Sequence, residues 1–189
     1  MRKALASLIY SFLFIGGTVA LAPNGQAQTS SGSEQMKPGL ATCYMYDFVR
    51  HIDELDGWDI DNKCKPGAPL AKLDSRVGDG KVLTSDATDG VMAKISGFIH
   101  LEKPGSYAFT FESNDGFRLE IDGELIVEDP DVHGDRYSGI GRMEVTEAGW
   151  YPLKIYYFER RNTSTLRFFW RPPGVEGTFP VVPANVLAH

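Results

Sequence analysis

SYAFTFESNDGFRLEIDGELIVEDPDVHGD, Ser106 to Asp135, decides the fold class of this 189-residue chain. Tyr107, Phe109 and Phe111 alternate with Ala108, Thr110 and Glu112; Phe117, Leu119 and Ile121 alternate with Arg118, Glu120 and Asp122. That period of two is the signature of half-buried strands. Between them stands Ser113-Asn114-Asp115-Gly116, whose residues tolerate positive φ and bond to their own backbone, so a turn is expected there. Asp122-Gly123 predicts a two-residue hairpin joining Leu119–Ile121 to Leu125–Val127. The following loop, Glu128 to Asp135, has four carboxylates and one imidazole in eight positions and is read as too polar for a core.

Outward from this stretch the same pattern recurs. Val91 to Leu101 is expected as a strand ended by Lys103-Pro104-Gly105, and Gly139 to Val145 as another. Tyr151 to Phe158 and Thr165 to Trp170 follow, the last stopped by Pro172-Pro173-Gly174. Ala41 to Tyr46 reads as a first strand, Asp47 to Asp61 as either a short helix or a packed loop, and Asn62 to Pro69 as a loop. Up to Gly90 the chain is polar and turn-rich. Trp150, Tyr151 and Trp170 are read as core residues. Repeated short strands with turn signals and no long amphipathic helix predict an all-β fold, an antiparallel sandwich or barrel, with short helices at most.

The N-terminus speaks to compartment. Met1-Arg2-Lys3 is basic, Leu5 to Ala22 is apolar and uncharged, and small residues stand at Gly25 and Ala27. This predicts a signal peptide over residues 1–27, and so a secreted, periplasmic or cell-envelope protein; a retained membrane anchor is the alternative. Residues 28–38 are polar and non-aromatic, a disordered lead-in to a domain over 39–189. The chain carries a formal charge of −6, and losing Arg2 and Lys3 makes it more acidic still. An acidic protein lacks the basic face that nucleic acids and anionic membranes require. Cys43 and Cys64 are the only cysteines. Export makes a disulfide between them the leading reading, ahead of two free thiols or a metal pair.

Several segments resemble a known family when taken in order. They are Phe111 to Gly123, His133-Gly134, Ala148-Gly149-Trp150-Tyr151-Pro152-Leu153, Tyr157-Phe158-Glu159-Arg160 and Trp170. Together they resemble the PA-14 (PA14) domain family, named after the anthrax protective antigen and similar to the lectin domains of flocculins and epithelial adhesins. The resemblance implies a PA14-like β-sandwich. In carbohydrate-binding members, an aspartate pair, often joined by a cis peptide, holds a calcium ion that ligates sugar hydroxyls. That pair falls here on Asn114-Asp115, where an amide replaces the first acid, and the second calcium loop falls on Glu159 to Asn162. The resemblance therefore implies calcium as cofactor, with Asn114, Asp115 and Glu159 as its side-chain ligands. Asp129, Asp131 and His133 would border the sugar.

Three functions follow from the residues and the resemblance. The first is a non-catalytic, calcium-dependent module that binds carbohydrate or cell-surface glycan. The second is a structural or protein-interaction domain of the cell envelope that contacts envelope proteins and binds no sugar. The third, an enzyme, would need paired carboxylates such as Asp129 and Asp131 in opposed environments. Those acids crowd one polar loop, and the sequence has no nucleophile elbow, HExxH or phosphate loop, so no enzymatic activity is expected.

Overall fold

Period-two alternation becomes structure by sending every second side chain into an interior shared by two sheets. A computed structural model describes residues 36–78 and 80–189. The expected signal peptide, and the lead-in up to residue 35, lie outside the described residues. Among the described residues there are twelve strands: β1 (Leu40–Tyr46), β2 (Lys65–Leu70), β3 (Asp74–Val77), β4 (Val91–Leu101), β5 (Gly105–Asn114), β6 (Phe117–Ile121), β7 (Glu124–Asp129), β8 (Arg136–Tyr137), β9 (Gly141–Val145), β10 (Gly149–Glu159), β11 (Ser164–Arg171) and β12 (Leu187–Ala188). Helical structure among the described residues is confined to the 3-10 segments Ile52–Gly57 and Ala184–Val186 and a single turn, α1 (Ile60–Lys63). The fold is thus the all-β antiparallel sandwich expected from the alternation.

One sheet runs β2-β1-β4-β10-β6-β7, with β12 also on β4; the other runs β3-β11-β5-β8, with β9 also on β5. Its interior is aromatic. Phe111 lies 4.2 Å from Phe117 and 4.6 Å from Phe168, ring centre to ring centre, and joins the two sheets through stacked faces. Asp122-Gly123 forms the expected hairpin turn, with Ile121 opposite Glu124 and both turn residues at positive φ, 55° and 80°. That geometry matches the right-handed twist of the flanking strands.

Three readings of the sequence are corrected. Lys65–Leu70, which takes in the second half of the expected loop Asn62 to Pro69, pairs antiparallel with β1, and Asp74–Val77, in the turn-rich stretch, pairs with β11. Both are edge strands that bury only one side, which is why their apolar alternation is weak and prolines are tolerated. Trp150 is not a core residue: it is 39% exposed and packs against His100 on the outer face. In addition, Lys37 exchanges backbone hydrogen bonds with His189, and Pro38 bridges Ala188, so ordered structure begins before Gly39.

The segment from Asp47 to Cys64 crosses the outer face of the larger sheet and builds a second small core from Val49, Ile52, Leu55, Ile60, Met92 and Phe158. Two covalent and ionic ties fasten it. Arg118, on the outer face of β6, binds Asp53, Asp56 and Glu128. Cys43 is disulfide-bonded to Cys64, with Cα atoms 5.4 Å apart and a sequence separation of 21. A loop of that length gains about 3 kcal/mol from cross-linking on the chain-entropy model. The double variant Cys43→Ser/Cys64→Ser is therefore expected to lose roughly 3 kcal/mol of unfolding free energy, read from urea denaturation; an unchanged midpoint would show that the cover is held by Arg118 and the small core alone.

Candidate functional site

The site forms where β5 and β10 end side by side. Alternation on β10 turns Leu153, Ile155 and Tyr157 inward, and the same period carries Glu159 to the inward face at the strand's last residue. The residue is only 1% exposed, and neither carboxylate oxygen has a hydrogen-bond partner among the described residues. At the end of β5 the Asn114–Asp115 peptide bond is cis. The carbonyl of Asn114 accepts a 2.5 Å hydrogen bond from the Tyr157 hydroxyl, which ties the two strands together. Burial first, then the Glu159 and Asp115 carboxylates, push the Tyr157 hydroxyl up, so it remains a neutral donor.

Asp115 is 3% exposed and held from both sides by backbone. Its Oδ1 accepts from the His133 amide at 2.9 Å and its Oδ2 from the Arg160 amide at 2.8 Å. Gly116 makes this possible: a Cβ there would stand 2.9 Å from the carbonyl oxygens of Asp129 and Pro130 and 2.6 Å from the Phe158 ring. Only glycine lets the loop after β7 lie close enough for His133 to reach Asp115. Burial raises the Asp115 carboxyl, and the two amides partly offset it. Glu159 has no such donors, so burial, then Asp89 and Asp115, push its carboxyl up from 4.5 to about 8.

The structure thus brings Asp115 and Glu159 together, with Asn114 beside them. The Asn114 amide donates to the Thr163 hydroxyl at 2.9 Å and to Asp135 Oδ1 at 3.3 Å. The expected sugar-bordering residues divide. His133 lines a cleft of about 400 Å³ with Asn114, Asp115 and the loop Arg160–Thr163. Asp131 lines the adjoining cleft, its side chain exposed. Asp129 is turned away into an ion pair with Nε and Nη2 of the half-exposed Arg136, which holds its carboxyl low. Asp89 escaped the sequence reading. It accepts from the Asn162 amide at 2.8 Å, and its charge reaches Glu159 because Val91 pairs with Glu159 across β4 and β10. Its only signal was an Asp-Gly turn just before a strand.

Residues 75–181 match the family model described as the PA14 domain. The chain belongs to the PA14 domain family. No curated protein matches it significantly. Among solved structures, this PA14 domain is similar to the PA14 domain of the MpAFP antifreeze protein, with 16% identity, a TM-score of 0.69 and coverage of 86% of this chain and 96% of that one. A structure described as the PA14 sugar-binding domain of an RTX adhesin is 15% identical, with a TM-score of 0.64 and coverage of 80% and 98%. Epithelial Adhesin 6 A domain from Candida glabrata, in complex with Galb1-3GlcNAc, is 10% identical, with a TM-score of 0.58 and coverage of 82% and 88%. An anti-sigma factor domain-containing protein is 16% identical at a TM-score of 0.65; the alignment takes in 80% of this chain, which spans about half (48%) of that one. At these identities the structural likenesses show the fold.

Among the described residues of this PA14 domain, no three His, Cys, Asp or Glu side chains form a ready metal cluster. A cation here would need backbone and amide oxygens as well as carboxylates. The donor set suits a hard cation: Asp115, Glu159 with two unpartnered oxygens, and the Asn114 amide. The raised Glu159 carboxyl has a further consequence for stability. Its proton is held more tightly in the folded than the unfolded state, so the contribution of Glu159 to stability is fully present below about 4.5 and is lost as pH rises through about 8. Without divalent cations, the melting temperature is expected to drop across that window, and Glu159→Gln to flatten the drop and leave the protein more stable than wild type at pH 9. A wild-type melting curve that is flat from pH 5 to 8 would contradict the burial of this charge.

Proposed function

We propose that this PA14 domain is an extracellular, non-catalytic carbohydrate-binding module whose site holds calcium between the Asn114–Asp115 turn and Glu159. The observation that carries the reading is Glu159, a carboxylate with both oxygens buried and unpartnered beside two other acids. Burying such a charge is costly unless a counter-charge meets it. Calcium, when bound, supplies that charge and open coordination positions for vicinal sugar hydroxyls. The chain's own residues do the rest. Backbone amides of His133 and Arg160 fix Asp115 in one orientation, and His133 and the Arg160–Thr163 loop wall the cleft above it.

Two further points support the reading. The RTX adhesin domain is described as sugar-binding, and the Candida glabrata adhesin was solved with a disaccharide. The adhesin and antifreeze neighbours favour an extracellular setting, and among the described residues no helix is long and apolar enough to cross a membrane. Carboxylates that an enzyme would need free are committed instead, Asp129 to Arg136 and Asp115 to backbone amides.

A site with two formal charges is expected to bind calcium at roughly 10⁻⁴ to 10⁻³ M, the range of extracellular modules. A ligand specific to the folded state adds about 2.7 kcal/mol at a hundredfold excess over Kd. Saturating calcium should raise the melting temperature by several degrees and be required for retention on a glycan array. Asp115→Ala and Glu159→Gln should abolish both effects, and Glu176→Ala, on a distant loop, should change neither. Equal melts in calcium and chelator, with no glycan retained, would favour the envelope interaction domain.

A further inference from the structure

The cleft over Asp115 does not end at the candidate calcium site. Val132 and Arg160 line both it and an adjoining cleft of about 610 Å³, whose other walls are Arg50, Asp131 and Arg136. Arginines therefore converge there from three places: the start of the segment covering the larger sheet, β8, and the loop after β10. The chain as a whole is acidic, with 25 Asp and Glu against 19 Lys and Arg. Elsewhere Arg76 and Arg167 each bind two carboxylates and Arg118 binds three, whereas Arg142 and Arg171 bind none among the described residues.

At the cleft the unpaired arginines cluster. Arg136 is locked by Asp129, but Arg50 and Arg160 form no side-chain ion pair among the described residues. Arg161, beside Arg160, has its guanidinium over the Phe48 ring at 5.0 Å and no carboxylate partner there either. A free arginine on an open surface would mean only solvation. Arg160 differs, because its Nε is buried and has no hydrogen-bond partner among the described residues, which is costly for a charged donor. The one carboxylate lining this cleft, Asp131, is exposed, with an oxygen 3.9 Å from His51 Nε2.

Resting on the glycan reading above, we propose that the saccharide taken by this site is anionic. Its acidic group meets the Arg160 and Arg50 guanidiniums in the adjoining cleft, and its hydroxyls face the Asn114–Asp115 turn. A guanidinium is a rigid fork of donors matched to paired anionic oxygens, and it stays charged at any physiological pH. A uronic-acid carboxylate and a sulfate ester both present such oxygens.

Isothermal titration calorimetry of the whole protein in saturating calcium separates the cases, with three galactose-based probes: oligogalacturonate, a sulfated galactan oligosaccharide from carrageenan, and neutral agarose oligosaccharide. At least one acidic probe is expected to bind roughly tenfold or more tighter than the neutral one, with the advantage shrinking as salt is raised. The two acidic arms tell carboxylate from sulfate. Arg160→Gln should bring each acidic probe down to the affinity of the neutral probe measured on the same variant; Arg50→Gln, which lines only the adjoining cleft, should reduce the advantage while leaving neutral binding and the calcium-induced melting shift unchanged, and Arg142→Gln, on β9, should have no effect. Neutral binding as tight as acidic, or an advantage that survives both Arg160→Gln and Arg50→Gln, overturns the proposal and leaves the glycan reading standing. Failure of all three probes and of a broad glycan array overturns both. The melting shift of each variant shows whether it has folded.

Discussion

Eleven residues of β4 pair antiparallel with eleven of β10, from Leu101 opposite Gly149 to Val91 opposite Glu159, and the other elements are arranged on this ladder. The two strands form the middle of the larger sheet, with β1 and β12 sharing the far edge of β4 and β6 on the far edge of β10. Their inward residues, Ile95, Ile99, Ile155 and Tyr157, are fully buried against the second sheet. The ladder also fixes chemistry. It ends with Glu159 on the interior face and Asp89-Gly90 beside Arg160, whose carbonyl accepts from the Gly90 amide at 3.1 Å. A shift of one residue would turn Glu159 outward and dissolve the site.

The site is assembled from chain ends that a sandwich gathers at one pole. β5 delivers Asn114 and Asp115, β10 delivers Glu159, and the loop after β7 delivers His133. None of these loops could be held so closely by side chains alone. Gly116 admits the backbone of Asp129 and Pro130, and the Tyr157 hydroxyl anchors the Asn114 carbonyl. The result is a pair of acids with opposite support, Asp115 amide-bonded and Glu159 bare, in the same buried space. An environment like that raises both carboxyls and favours a cation as the partner.

Charge is distributed by face rather than spread evenly. On the smaller sheet's outer face, Asp74, Arg76, Glu112, Asp135 and Arg167 form a closed ion-pair network that spans β3, β5 and β11. On the larger sheet, Arg118 gathers the carboxylates of the covering segment, which the disulfide closes at its far end. These networks hold Arg76, Arg118 and Arg167. Arg50, Arg160 and Arg161 have no ion-pair partner among the described residues, and they stand at the pole where Asp115 and Glu159 are buried.

The sequence by itself determined the strand periodicity from Val91 to Trp170, the Asp122-Gly123 hairpin, the family to which the chain belongs and, from two cysteines, the crosslink. Each is a local pattern or the only pairing available, so no knowledge of distant contacts was needed. It also placed Asn114, Asp115 and Glu159 within one resemblance, and the period of β10 already put Glu159 on the face of Tyr157. Tertiary structure decided the rest. Edge strands β2 and β3 carry little apolar alternation because one side of each faces solvent, and Trp150 left the core because its turn lies at the rim. Asp129, in a loop whose composition reads as solvated, is buried because Arg136 reaches back to neutralise it. Asp89, Arg50 and Arg160 stand 39 to 110 residues apart in the chain. Only strand pairing brings them to one end of the sandwich, because register and loop approach are set by contacts across the fold, and no local pattern records them.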